Sequence, residues 1–227
     1  MSTETANQDQ EKASEKSDLR QRIIAHYQEH LLLNGEPPAS VYAFCKELEI
    51  KESEFYQYFA SFTQISAAFW SSLFEENIER LENSPEYTEF TVREKLLSFY
   101  YSFFEALKDH RSYALKTLNT QMFSIKREIG EMDQLKKKFK IWIKTLMAEG
   151  RQRDEVADRS RLSDQYDSMF WYQFLFLLDF WRKDGSTGFE RTDEAIEKTV
   201  NLSFDLIEKN ALDSAFDFGK FIFQNFR

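Results

Sequence analysis

The amino-acid sequence predicts an all-α protein, and three observations support this fold class. Helix breakers are scarce, since 227 residues contain only 6 Gly and 3 Pro, and the turn-rich connections of sheets use both residue types. Apolar residues recur at spacings of three and four along most of the chain, which is the pattern of a buried helix face. Aromatic residues reach 16%, with 23 Phe, which indicates a bulky core or a cavity lined by rings.

Charge and cysteine content limit the classes of function. The net charge of −9 argues against broad, nonspecific affinity for nucleic acid, although a small DNA-reading patch remains compatible with it. The single cysteine, Cys45, excludes an intramolecular disulfide and fits a reducing compartment. Residues 1–18 show no signal peptide, and the longest apolar stretch, residues 169–178, is too short to cross a bilayer. We therefore expect a soluble, cytoplasmic protein without integral membrane contact.

The N-terminal region predicts a tail followed by a small helical domain. Residues 1–18 are polar and charged, so we expect them to be disordered, and the domain then covers residues 19–62. Its first helix ends at Asn34-Gly35. Ser40 is a good N-cap for a short second helix, and a turn at residues 49–51 leads to a third helix at residues 53–59. The apolar residues expected to pack these helices are Ile23, Tyr27, Leu31, Phe44, Cys45, Ile50, Phe55 and Phe59.

The remainder, residues 63–227, predicts a larger helical domain. Turn residues divide it into helices at residues 63–81, 91–108, 109–125, 132–147, 163–181, 192–209 and 212–226. The helix at residues 163–181 is apolar on almost every side and needs neighbours on every side. We expect it to form a symmetric dimer together with residues 192–209, because Phe170, Phe174 and Leu177 require burial.

Two short helices joined by a three-residue turn have the geometry of a helix-turn-helix. The run Phe55-Tyr56-Gln57-Tyr58-Phe59, after a helix with Phe44-Cys45-Lys46, resembles the TetR family of transcriptional repressors. This resemblance covers residues 19–80 and implies a TetR-like fold, a ligand-responsive homodimer and operator DNA as its partner. It implies phosphate contacts by the two tyrosine hydroxyls and base contacts by polar side chains. The DNA-contact candidates are Ser40, Lys46, Lys51, Ser53, Tyr56, Gln57 and Tyr58.

The same segment departs from the family pattern in its charge. Glu49 occupies a turn position where the family favours Gly, and it must accept a positive φ at a cost or turn differently. Glu52 stands where a basic residue is usual, and Phe62 replaces a lysine. Residues 36–62 hold two lysines and five glutamates, so their net charge of −3 opposes phosphate. This charge favours an alternative function, a carrier of lipids or other hydrophobic ligands with the same fold that does not bind DNA.

A second resemblance concerns the C-terminal part. Residues 174–223 are similar to the family of TetR-fold lipid-binding proteins of coenzyme Q biosynthesis, through an aromatic helix, an Asp/Gly/Ser loop and an amphipathic last helix. The surplus of rings between residues 91 and 181 predicts an elongated apolar cavity for a small hydrophobic ligand. A fully packed core is the alternative. The candidate lining residues are Phe99, Tyr100, Phe103, Phe104, Tyr113, Phe123, Phe170 and Phe174.

Other patterns favour simpler interpretations. The lysines at positions 136, 137, 138, 140 and 144 indicate a solvated helix face. His26, His30 and His110 are scattered, without a Cys or carboxylate pattern that would complete a metal site. No phosphate-binding loop or nucleophile-base order indicates catalysis. We therefore expect no enzymatic activity, no metal and no cofactor.

Overall fold

The computed structural model describes residues 2–118, 132–156 and 166–208, with side chains described from Asp18 to Ile207 within these ranges. Every regular element in these ranges is a helix, which confirms the predicted all-α class. The α-helices are α1 (Ser2–Asn34), α2 (Val41–Glu47), α3 (Glu52–Phe55), α4 (Phe62–Glu82), α5 (Val92–Asp109), α6 (Arg111–Thr117), α7 (Asp133–Gln152), α8 (Tyr166–Lys183) and α9 (Glu190–Glu208). Short 3₁₀ helices at Pro85–Thr88 and Thr187–Phe189 precede α5 and α9. The helix predicted at residues 212–226 lies outside the described residues.

The chain divides into two compact units. Unit 1 takes Met1–Trp70 and His110–Gln134, and unit 2 takes Ser71–Asp109 and Leu135–Arg227. This division differs from the boundary expected at residues 62 and 63, because α4 begins there and continues to contribute to unit 1 as far as Trp70. The Trp70 indole Nε1 donates a hydrogen bond to Thr117 Oγ1 at 3.2 Å. That bond, and the packing of α6 against α1, place residues distant in sequence in the same unit.

The N-terminal helix is longer than the sequence predicts. We expected disorder for residues 1–18, whereas α1 begins at Ser2. The segment contains no Gly or Pro, and its Ala, Glu, Gln and Lys residues have high helix propensity. Polarity alone does not terminate a helix whose C-terminal half is already packed.

Unit 1 has an aromatic core built on the first three helices. Phe44 of α2 is fully buried, and its ring centroid lies 5.9 Å from that of Phe55 and 5.3 Å from that of Phe62. Phe62 also stacks on Tyr27 of α1 at 5.2 Å. The predicted burial of Phe44, Cys45, Phe55 and Phe59 is confirmed, whereas Ile50 is only half-buried. The rings therefore fix α2 and α3 against α1.

Unit 2 buries one face of each of its long helices. Along α5 the spacing of three and four residues predicted from the sequence brings Leu96, Phe99, Phe103 and Leu107 into the core. In α9 the same spacing buries the apolar residues Ile196, Val200, Phe204 and Ile207. No helix among the described residues is long and apolar enough to cross a membrane.

Helix α7 extends beyond its predicted end at residue 147. Gly150 lies within the helix and is buried. A Cβ atom added at this glycine would lie 2.7 Å from a Val156 methyl carbon and 2.8 Å from a Val92 methyl carbon. The glycine therefore does not break the helix but permits a close approach to neighbouring chain segments.

Asp184, in the loop before α9, caps the N-terminus of this helix with its carboxylate. Its Oδ2 accepts hydrogen bonds from the Thr192 amide at 2.9 Å and the Thr192 hydroxyl at 2.7 Å. Its Oδ1 accepts from the Ser186 amide at 2.8 Å and the Ser186 hydroxyl at 2.7 Å. These bonds satisfy backbone N–H groups that a helix start leaves without partners.

Candidate nucleic-acid interface

The first helix of the candidate interface starts where the sequence predicts. Ser40 is extended, with φ −160° and ψ 158°, and its Oγ accepts a hydrogen bond from the Ala43 amide at 3.1 Å. This is the N-cap geometry for which serine is suited. Helix α2 then buries Phe44 and Cys45 and exposes Tyr42 and Lys46, one helical turn apart on the outer face.

The turn between α2 and α3 uses a left-handed residue. Glu49 has φ 58°, so this position accepts the positive φ rather than turning differently. The Glu49 amide donates to the Lys46 carbonyl at 3.4 Å, and the Ile50 amide donates to the Cys45 carbonyl at 3.0 Å. This pair of bonds is a Schellman motif, in which Gly is the usual left-handed residue. Glu49 therefore carries a conformational cost that glycine would not.

Helix α3 is shorter than predicted. It covers Glu52–Phe55 rather than residues 53–59, and hydrogen-bonded turns continue it to the Phe59 amide, which donates to the Phe55 carbonyl at 3.0 Å. At its start, Glu54 Oε2 accepts from the Lys51 amide at 2.7 Å. This hydrogen bond from the N-cap amide to the carboxylate three residues later fixes the first turn of a helix too short to be stable alone.

The predicted register of α3 is confirmed. Phe55 and Phe59 are buried, whereas Tyr56 is 53% exposed. The exposed DNA-contact candidates are Ser40, Lys46, Lys51, Ser53, Tyr56 and Gln57, and Tyr58 is half-buried. Their contact with DNA stays a prediction. The sequence-based set missed Tyr42, which is 66% exposed, although its position four residues before Lys46 and away from Phe44 indicated an outward side chain.

Two of the glutamates in residues 36–62 are engaged within unit 1. Glu54 caps α3, as described above. Glu47 Oε2 lies 3.4 Å from His26 Nε2 and 3.5 Å from His30 Nδ1, so the last residue of α2 faces two histidines on successive turns of α1. In the described part of the chain, no three His, Cys, Asp or Glu side chains are grouped so that they could hold a metal ion. The Glu47 carboxylate therefore lies beside two imidazole rings of α1.

The candidate ligand-pocket residues do not form one site. Six of them lie buried in unit 2. Five of these rings contact one another, so that Phe174 lies 5.3 Å from Phe103 and 6.4 Å from Tyr100 between centroids, and the sixth, Phe170, contacts Phe204 instead. Burial raises the pKa of Tyr100 well above its ordinary value. Tyr113 instead belongs to unit 1, at 4.8 Å from Phe69, because α6 packs with α1. Phe123 lies outside the described residues. These contacts support the packed-core alternative for the six rings.

A different cleft lies at the C-terminal end of α8, which the sequence did not predict. Its volume is about 370 Å³, and it is lined by Phe176, Asp179, Phe180, Lys183, Asp184, Gly185 and Arg191. Phe176, which lines the cleft, is exposed, as are two other large apolar side chains of α8 and α9. Tyr172 and Phe176 of α8 are 60% and 52% exposed, and Leu202 of α9 is 58% exposed.

The reason given above for a dimer through α8 and α9 is wrong. Phe170, Phe174 and Leu177 are all buried inside unit 2, so their burial needs no second subunit. Helix α8 carries apolar residues on both faces, as expected, but the two faces differ in burial. One face completes the core of the unit, and the other carries the exposed rings Tyr172 and Phe176.

The described residues form helices throughout, with a helix-turn-helix in unit 1 and a larger helical unit whose segments alternate with those of unit 1 in the sequence. The family model described as "Tetracyclin repressor-like, C-terminal domain" matches residues 95–222, more than half of the chain. The chain therefore belongs to the tetracyclin repressor-like family, the TetR family that residues 19–80 resemble. No curated protein matches the chain at a significant level. The similarity of residues 174–223 to lipid-binding proteins of coenzyme Q biosynthesis stays a prediction.

Proposed function

We propose that this protein is a non-enzymatic, ligand-responsive transcriptional regulator that binds operator DNA as a homodimer. Membership in the tetracyclin repressor-like family supports the regulator class. The observation that carries DNA binding is the exposed polar face of α3. Lys51, Ser53, Tyr56 and Gln57 face outward while Phe55 anchors the helix in the core. A recognition helix has to present such a face to enter the major groove.

Exposed aromatic side chains on α8 support the homodimer. Tyr172 and Phe176 lie one helical turn apart and are each more than half exposed, and exposed apolar patches mark interaction sites on soluble proteins. A two-fold axis beside α8 would bury the same patch of both subunits. The two reading heads, which are residues 36–62 of each subunit with the helix-turn-helix, would then contact two half-sites of one operator.

The acidic character of the reading head sets the expected salt dependence. Lys46 and Lys51 are its exposed lysines, so a dimer would make about four lysine-phosphate contacts. Binding to DNA should then weaken roughly a hundredfold between about 50 and 200 mM salt, because few counterions are released.

The test is fluorescence anisotropy of the full chain with labelled duplex DNA from upstream of its own coding region, at low and moderate salt. We expect saturable binding that competitor DNA of random sequence does not abolish. Tyr56→Ala should weaken binding at least tenfold, whereas Tyr101→Ala, which removes a 38% exposed tyrosine in unit 2, should not. Equal affinity for upstream and random DNA, or equal losses in both variants, would contradict the proposal.

A further inference from the structure

The five glutamates in residues 36–62 occupy different environments, and this distinction bears on what the reading head recognises. Glu47 faces His26 and His30, and Glu54 accepts a hydrogen bond from the Lys51 amide. Glu36 follows the end of α1, and Glu49 forms the left-handed turn. Of the five, only Glu52 lies on the exposed face of α3 without a local task for its carboxylate among the interactions of the described residues.

Glu52 is the first residue of α3 and is exposed. It lies one helical turn before Tyr56, so their side chains share a face. Within the described ranges, no lysine, arginine or histidine forms a salt bridge with Glu52. A carboxylate in this position would enter a DNA groove with its hydrogen-bonding capacity unused.

An ionised carboxylate accepts hydrogen bonds but donates none. Phosphate groups repel it, so it gains nothing at the DNA backbone. In the major groove, cytosine presents the N4 amino group as a donor, whereas guanine and thymine present acceptors. Adenine presents a donor beside the N7 acceptor, which repels a carboxylate. Cytosine is therefore the base whose major-groove edge best suits Glu52.

We propose that Glu52 is a specificity-determining residue that reads a cytosine in each operator half-site. The inference rests on the proposed DNA-binding function and adds the base class that the acidic reading head recognises. The first residues of a recognition helix are those that contact base edges in helix-turn-helix complexes. Repulsion between the carboxylate and the phosphates lowers the affinity for DNA of any sequence. A hydrogen bond from the N4 amino group of a cytosine offsets this loss at the operator. The negative charge of Glu52 thus acts as a selective element.

The substitution Glu52→Gln changes this chemistry with little change of shape. Glutamine pairs with the N6 and N7 groups of adenine, so the variant should exchange a preference for cytosine for a preference for adenine at one position. Glu52→Ala should lose the cytosine preference without gaining one for adenine. Both variants should bind random-sequence DNA more tightly than the wild-type protein, since each removes a negative charge from the interface.

The experiment selects binding sites for the full chain from a library of random duplex DNA. Affinities are then measured for every single-base change in the half-site, for the wild type and both variants. We expect a cytosine preference of about tenfold at one position in the wild type, adenine preference in E52Q, and normal helical circular dichroism in both variants. The matched control is Glu36→Gln, which removes the same charge outside the helices and should leave every base preference unchanged.

Unchanged base preferences in E52Q and E52A, with DNA binding retained, would overturn the role of Glu52 but leave the proposed function standing. Selection of no DNA by the wild-type chain would overturn both. A loss of cytosine preference in E36Q equal to that in E52Q would show that overall charge, not the position of Glu52, sets the specificity.

Discussion

Replacing Asp184 by asparagine should destabilise unit 2, and the size of the effect follows from the carboxylate's environment. Burial raises the pKa of Asp184, but hydrogen bonds from Ser186 and Thr192 outweigh burial and lower that pKa from 3.8 to about 2. Since one pKa unit corresponds to about 1.4 kcal/mol, the ionised carboxylate contributes about 2 kcal/mol to folding near neutral pH. Asparagine keeps one acceptor oxygen and places an NH₂ group against two donors, so most of this contribution is lost.

The contribution of Asp184 should depend on pH in a defined direction. Its pKa is lower in the folded than in the unfolded chain, so the stabilisation is complete above pH 3.8 and disappears as the pH falls towards about 2. The difference in unfolding free energy between wild type and D184N should therefore be about 2 kcal/mol at neutral pH and shrink below pH 3.8. Urea unfolding followed by helical circular dichroism, repeated across this range, measures it.

The control for Asp184 is Asp193→Asn in the first turn of the same helix. Asp193 is exposed, and its pKa is raised, chiefly by desolvation. D193N should leave stability unchanged or slightly higher near neutral pH, because a raised pKa means that ionisation is unfavourable in the fold. A loss in D193N as large as that in D184N, or a D184N effect that does not vary with pH, would refute the capping argument.

Three further predictions concern the turn, the close helix approach and the exposed surface. Glu49→Gly should raise the unfolding free energy by up to about 1 kcal/mol, because glycine adopts the positive φ without strain. As a control, Ala43→Gly within α2 should lower the unfolding free energy by about 1 kcal/mol. Equal changes in both variants would contradict the left-handed conformation of residue 49. Gly150→Ala should lower the unfolding free energy by about 1–3 kcal/mol in thermal or urea unfolding, since the added methyl group would lie under 3 Å from two valine methyl carbons. An unchanged unfolding midpoint would show that the two valines can move away from residue 150 without cost. Phe176→Glu should convert the proposed dimer to monomer in sedimentation velocity, whereas Ile141→Glu, at a 66% exposed position of α7, should not; a monomeric wild type would remove the dimer proposal.

Helical periodicity predicted the elements and the register of the reading head well. Phe55 and Phe59 had to share a buried face because they lie one turn apart, and the structure places them there. The resemblance to the TetR family, which favours Gly at this turn position, implied that Glu49 either adopts a positive φ or turns differently, and the structure shows the positive φ. These features depend on neighbours in sequence, so local patterns contain the information that determines them.

Features that depend on distant residues were harder to predict. Tyr113 was grouped with the rings of α5, but α6 packs on α1 and takes Tyr113 into unit 1. Likewise, Phe170 and Phe174 have their partners inside unit 2, which composition alone does not distinguish from a subunit interface. The count of charges in residues 36–62 did not reveal that Glu47 faces two histidines. Such pairings become visible only when the helices are placed in space.

Hydrogen exchange of the full chain, with and without a selected DNA duplex, tests the central claim most directly. If the exposed face of α3 reads DNA, backbone amides in residues 41–59 should gain protection when DNA is added, and Tyr56→Ala should reduce that protection. The lysine-rich helix α7, which carries the densest basic run in the sequence, serves as the internal comparison. Protection on α7 with none in residues 41–59, or no protection anywhere at saturating DNA, would contradict the account.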